Sequence, residues 1–404
     1  MPPHPSERRI RTRSPLITVR RFRGPTADEL FVHCQPTDGS LDAASQAAGA
    51  YEALLDVLGA EDIAPNFLVS DTVFLRRMRE DLTAIRAARA RVLGATEIRD
   101  GGPATTFIGQ PPLSDAALEV SAIAVVPRSP DAWSARAVRG MTTCPCAACA
   151  PGVRARVVRI GDETHLYAGN VQGAGRDAFA QAAEMFRVAE GVLAEAGMTF
   201  GNVVRTWIHL RDIDRDYAAL NQARRAFFAR CGLEQRPAST GVQGTSPADA
   251  HDVSLSFYAV ASPRPLDVTV MSTPTLNEAW SYGADFSRGL RLTQANQVTL
   301  YVSGTASIDE HGHTVHVGNL EAQVDRMLQN IESLLAARGA TCGELVSGVT
   351  YLKHPTDAPV LRAMLQERGF AGFPNALVLA PLCRPELLCE MEAVAILPLG
   401  SAGV

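Results

Sequence analysis

One pattern recurs three times along this chain, and it limits the fold more than any other feature. Three segments close alike: AALEVSAIAVVP around Glu119, DVSLSFYAVASP around Ser254 and LLCEMEAVAILP around Glu390. The three positions lie 135 and 136 residues apart. Spacing that regular marks one folding unit used three times. Each closing segment reads as a strand with an apolar face toward a core. A carboxylate in such a strand is costly unless it is paired or put to use. Glu390 and Glu392 both interrupt the third segment, and Cys383 and Arg384 stand a few residues upstream. Residue pattern alone leaves two readings open. Either both glutamates point to solvent from an edge strand, or Glu390 and the Cys383 thiol face one cleft.

The material before each closing segment repeats as well. In the first copy, residues 45–58 carry apolar side chains at helical spacing, 67–75 read as a strand and 78–93 as a second helix. In the second copy a helix at 179–196 ends at Gly197, a good C-cap residue, before a strand at 203–210 and a helix at 217–231. In the third, a helix at 320–338 ends at Gly339, with a strand at 345–352 and a helix at 357–368 after Pro355. Strand pairs precede the first helix at 157–160 and 165–168, and again from 291 through 308. The expected fold class is α+β, three fused ββαβαβ units, each a sheet with two helices on one face. The expected division is a disordered tail at 1–15, units at 16–130, 155–262 and 291–400, and linkers at 131–154 and 263–290.

Composition narrows the function classes. The 404 residues are 46% apolar and 20% charged, enough for several packed cores. A net charge of -5 argues against nucleic acid as a partner. No run of about 18 apolar residues offers a membrane span. The opening residues are basic and Pro-rich without an apolar signal core, so a cytoplasmic protein is expected. Eight cysteines in a chain this long do not suggest a disulfide scaffold.

The order of elements, with VSGTASID, VGNLEAQVDRMLQNIESLLAARGAT and EMEAVA in the third unit, resembles the Rid (YjgF-like) family of enamine and imine deaminases. Members are usually homotrimers with a site in each cleft between subunits. Three units in one chain therefore imply an intramolecular pseudo-trimer, expected to be a monomer or weak dimer. The deaminases carry an arginine where this chain has Asn375 in FPNALV, which counts against a plain deaminase. A sharper resemblance, over residues 155–398, is to the chorismatases of the same superfamily. It rests on Tyr282 to Gly289, Arg205, Trp207, Tyr217, Arg224, the Pro237 to Gly241 segment, SGTAS and CRPELLCEMEA. The more complete first unit has no assigned role in that comparison.

That resemblance implies a small-molecule substrate and no cofactor. Chorismate has two carboxylates and an enolpyruvyl ether. Cleaving it calls for cations and for one acid that keeps its proton near neutral pH, which an apolar pocket favours. Glu390 matches the catalytic glutamate, and Cys383 would assist proton movement as the ring aromatises. Arg205, Arg224 and Arg288 would grip carboxylates, since a planar guanidinium makes two parallel hydrogen bonds. Tyr217 and Tyr282 would contact substrate. Glycine at Gly304 and cysteine at Cys383 are associated with the family members that make 3-hydroxybenzoate; the hydrolytic members tend to have alanine at both. The expected site is the cleft holding Glu390, walled by the second and third units; Glu119 is read as a relic in preference to a second site. Rival readings are a fused deaminase or other tailoring enzyme, and a non-catalytic binding protein. No metal is expected: Cys144, Cys146 and Cys149 read as linker, and His311, His313 and His316 as a solvated turn.

Overall fold

A computed structural model describes residues 6–11, 15–96, 102–138, 155–278 and 285–400. The first unit runs β1 (Ser6–Arg11), β2 (Leu16–Arg23), β3 (Ala27–Gln35), α1 (Ala43–Ala60), β4 (Leu68–Leu75), α2 (Met78–Gly94), β5 (Ala104–Ile108) and β6 (Leu118–Pro127). The second runs β7 (Trp133–Val138), β8 (Ala155–Ile160), β9 (Glu163–Val171), α3 (Ala178–Ala194), β10 (Val203–Leu210), α4 (Ile213–Arg230), β11 (Ala238–Gln243) and β12 (Val253–Ala261). The third runs β13 (Asp267–Val270), β14 (Gly289–Thr293), β15 (Val298–Ala306), α5 (Leu320–Ala336), β16 (Leu345–Leu352), α6 (Ala358–Glu367), β17 (Asn375–Leu379) and β18 (Cys389–Leu397). The three sheets share one topology: 1-2-3-6-4-5, 7-8-9-12-10-11 and 13-14-15-18-16-17. All neighbours pair antiparallel except the last two strands of each sheet.

The repeat is therefore real and α+β, but each unit has six strands where ββαβαβ allows four. The missed strands are short. β5, β11 and β17 follow the second helix and add in parallel to the sheet edge. β7 and β13 fall in 131–154 and 263–290, the segments expected to be linkers, and β1 falls in the expected tail. Strands of four to six residues at a sheet edge take their order from the neighbour they bond to, so their own sequence carries little alternation. The first helix of each unit begins at the same device. Asp42, Asp177 and Asn319 accept from the backbone N–H of Ser45, Ala180 and Ala322, which satisfies a donor that the helix cannot.

Each sheet buries one face beneath its two helices, which gives three separate cores. The other faces turn toward one another around a pseudo-threefold axis. Small apolar clusters join the units in pairs: Val69 with Val158, Tyr258 with Tyr301, and Phe31 with Ile396. Backbone bonds run the same way round. Gly109 pairs with Thr245, the Gln243 N–H donates to the Pro381 carbonyl at 3.1 Å, and the Leu379 N–H donates to the Pro111 carbonyl at 2.8 Å. No described helix is long and apolar enough to cross a membrane.

The turn between β14 and β15 fastens all three units. Asn296 Oδ1 accepts from the backbone N–H of Thr26 at 2.9 Å and Ala27 at 3.1 Å, and its Nδ2 donates to the Ala27 carbonyl at 3.0 Å. A Cβ at Gly24 would overlap this amide. One residue earlier, the Ala295 N–H donates to Glu163 of the second unit at 2.9 Å. Replacing Asn296 with alanine leaves buried backbone groups unpaired. It is expected to cost about 2–3 kcal/mol, read as a lower midpoint of thermal or urea unfolding. An unchanged midpoint would remove this amide from the junction.

Candidate active site

Between the second and third units lies a cavity of about 330 Å³. Its floor is set by the strand order of the third sheet. β15 lies beside β18, and their register shifts between Val302 and Thr305. Gly304 sits in that shift. A Cβ there would overlap Glu390 Oε1 and press on Thr240, so only glycine leaves the carboxyl group its place. Glu390 is 4% exposed. Burial raises its pKa, neighbouring Glu392 raises it further, and Arg288, Arg205 and Arg384 oppose both, with the result near 8. The group is an acid that holds its proton at neutral pH.

The cations divide into two sets. Arg224 from α4 and Arg288 line the cavity, and each guanidinium carbon is 5.7 Å from the centroid of the Phe286 ring. The ring spaces two positive charges that face one void. Arg224 Nη2 donates to Asn221 at 2.5 Å, and Arg288 Nε to the Asn277 carbonyl at 2.9 Å. Arg384 lines the cavity too, and donates to the Gly312 carbonyl at 2.7 Å. Three guanidiniums thus surround one protonated acid, an arrangement suited to a doubly anionic ligand.

Arg205 is placed differently from expectation. It does not line the cavity. Its Nη2 donates to Glu392 at 2.7 Å and to Thr240 Oγ1 at 2.6 Å. Trp207 Nε1 donates to the other Glu392 oxygen at 2.6 Å, and the guanidinium lies 4.9 Å from the Trp207 ring centroid. Arg205 is 1% exposed and is committed to the neighbouring unit's carboxylate. Its signal in the sequence, an arginine two residues before a tryptophan on a strand, does not distinguish a ligand-facing from a strut-like guanidinium. Arg384 stands beside Cys383 in the sequence, and the resemblance assigns it no role. Adjacent side chains on a strand diverge, whereas this turn directs both residues toward one cavity.

Cys383 and Tyr217 meet across the cleft, and both line the cavity. Burial and the proximity of Glu390 push the thiol pKa up to about 12. Cys383 is therefore a neutral thiol and not a thiolate nucleophile. Tyr282 lies outside the described residues, as do Cys144, Cys146 and Cys149. Among the described residues no group of three or more His, Cys, Asp and Glu side chains is placed to hold a metal. His311 and His313 project from an exposed turn.

The two pseudo-equivalent clefts carry different side chains. In β9, Asn170 stands where the register to β12 shifts, with φ of 48°. Its amide bonds both the N–H and the carbonyl of Phe107 in the first unit, at 2.6 and 3.0 Å, and the closing strand there carries Ser254 in place of an acid. In the remaining cleft Glu119 is 2% exposed. It accepts from Ser114 at 2.8 Å and lies 3.2 Å from His33 Nε2.

Comparisons with known proteins identify the family and the fold. The family model described as endoribonuclease L-PSP matches residues 162–260 and 281–397, more than half of the chain. The chain belongs to this family, the Rid/YjgF-like proteins. Within it, the chain is similar to a 3-hydroxybenzoate synthase of Streptomyces hygroscopicus, 29% identical over 260 residues, which is 57% of this chain and 74% of that protein. It is also similar to a chorismatase of Streptomyces rapamycinicus, 29% identical over 176 residues, 39% of this chain and half of that protein. A crystal structure of a chorismatase shares the fold, with a TM-score of 0.60 at 17% identity over 82% of this chain and 93% of that one.

The raised pKa of Glu390 has a consequence for stability. The folded state binds this proton up to about pH 8, whereas an unfolded glutamate releases it near 4.5. Between those values the folded state holds more protons, so stability falls as pH rises. The contribution present below pH 4.5 and lost above 8 amounts to at most about 5 kcal/mol. Chemical unfolding at several pH values should show this slope in the wild type, and a flatter one in Glu390→Gln. Parallel slopes would mean that Glu390 titrates normally.

Proposed function

We propose that this protein cleaves chorismate to pyruvate and 3-hydroxybenzoate. The observation that carries the reading is one buried, protonated carboxyl group facing three guanidiniums across a cavity of about 330 Å³. Relatives named as 3-hydroxybenzoate synthase and chorismatase support it. Arg224 and Arg288 hold one carboxylate of the substrate, and Arg384 is placed for the other. Glu390 donates its proton to the methylene carbon of the enol ether. The adjacent ether carbon becomes oxocarbenium-like, and the two carboxylates stay fixed by the guanidiniums meanwhile.

The next step decides the product. Attack by the neighbouring ring hydroxyl leads to aromatisation and releases pyruvate with no added water: the atoms of chorismate divide completely between the two products. Attack by water instead yields a dihydroxycyclohexadiene carboxylate. Gly304 leaves room beside Glu390 for the ring, and the neutral Cys383 thiol, in contact with Tyr217, can pass a proton without holding a charge. These two residues favour the route that excludes water. Arg205 acts through Glu392, whose charge lies two residues from Glu390 along β18.

Incubation with chorismate should release pyruvate, with 3-hydroxybenzoate found by mass analysis. Ammonia from imines, with no pyruvate from chorismate, would overturn the proposal. Glu390→Gln should lower kcat about 10³-fold, the usual worth of a general acid. In the wild type, kcat/KM should fall as pH rises through about 8, where Glu390 loses its proton. The double variant Gly304→Ala, Cys383→Ala should shift product toward the dihydroxy compound and lose rate, because the new methyl displaces the acid. An unchanged product ratio would remove both residues from that choice.

A further inference from the structure

A second void lies where the inward faces of the three sheets meet. Its volume is about 150 Å³, every unit contributes a wall, and it shares no lining residue with the Glu390 cavity. Most of its surface is apolar ring and aliphatic face. Tyr167, Tyr258 and Tyr301 form one continuous wall, with successive ring centroids 4.9 and 6.0 Å apart. Phe31 and Phe74 of the first unit face them.

Two polar groups stand out in this lining. His209 is 5% exposed, and its Nδ1 has no hydrogen-bond partner among the described residues. Burial lowers the ring pKa to about 4 and keeps it neutral. A buried ring nitrogen without a partner costs free energy unless something else bonds to it. The other group is Glu29; among the described residues one of its oxygens accepts a hydrogen bond, from Gln297 Nε2 at 2.6 Å. Burial raises the Glu29 pKa to about 7, and its charge helps raise the pKa values of all three tyrosines. Tyr258 pairs in register with Arg205, four residues from His209 on β10. His209 therefore stands roughly 13 Å along the strand from the level of Tyr258, and Glu29 lines the same chamber.

The remaining charges near the chamber are neutralised. Glu392 is paired with Arg205, and Asp71 with Arg89. Among the described residues no arginine or lysine lines the chamber, so an anion would enter without a counter-charge, at high cost. We propose that the chamber is a second binding site, for a small uncharged single-ring compound with a hydroxyl group at each end. One hydroxyl meets His209 Nδ1, the other meets Glu29, and the ring lies against the tyrosine wall. This site is independent of the reaction proposed above.

The test uses the full chain with 4-hydroxybenzyl alcohol as probe, and with 4-hydroxybenzoate and benzylammonium as charged controls. A crystal soaked in the alcohol should show its ring beside Tyr258 and an oxygen within hydrogen-bond distance of His209. Thermal unfolding should rise saturably by about 2 °C with the alcohol and not with either ion. The rise should vanish in Thr72→Phe, which fills the chamber from β4, and shrink in His209→Leu. Should either variant fail to fold, the wild-type soak still decides. Water alone in the chamber, the alcohol seated only beside Glu390, or stabilisation by benzylammonium instead would overturn the assignment.

Discussion

The buried pair between Arg205 and Glu392 is the contact on which the site depends. It links the second unit to the third at 2.7 Å, with both side chains withdrawn from solvent. Removing one member of such a pair leaves an uncompensated charge and typically costs 3–5 kcal/mol. Here the pair also sets the field around Glu390. Glu392 raises the pKa of its neighbour two residues away, and Arg205 works against it. The acid is thus tuned by a contact that exists only because two copies of one unit sit side by side. Trp207, which bonds the second Glu392 oxygen and stacks with Arg205, keeps that contact in one geometry.

A threefold architecture with three different clefts follows from small local changes. At the register shift that Gly304 occupies in the third unit, the second unit has Asn170, whose amide stitches β9 to Phe107. The first unit keeps an acid, Glu119, but supplies it with His33 and Ser114. The sequence reading of Glu119 as a relic rested on one position in a repeat; the structure supplies partners for it. The first unit instead contributes the Thr26–Ala27 turn that receives Asn296, and one wall of the central chamber.

Much of this was legible beforehand. The three closing strands, the six helices and the position of Glu390 on a buried strand all follow from periodicity and from one costly carboxylate. The Tyr217, Arg224, Arg288, Gly304 and Cys383 cluster came from resemblance, and all five line one cavity. What was not legible is equally specific. The edge strands β7, β13 and β17 have no pattern of their own strong enough to announce them. Arg205, expected in the cavity, is paired with a carboxylate, and Arg384, for which no role was expected, lines the cavity, because whether a guanidinium meets a ligand or a carboxylate depends on what the adjacent unit presents.

The sequence by itself determined the repeated unit, its helices and the strand that carries the acid, since each is written in spacing along a single chain. The tertiary structure alone decided which side chains furnish each of three similar clefts, which arginines turned toward Glu390, and that a chamber remained at the centre. Those outcomes depend on side chains from different units meeting across distances of more than a hundred residues, and no local pattern records such meetings.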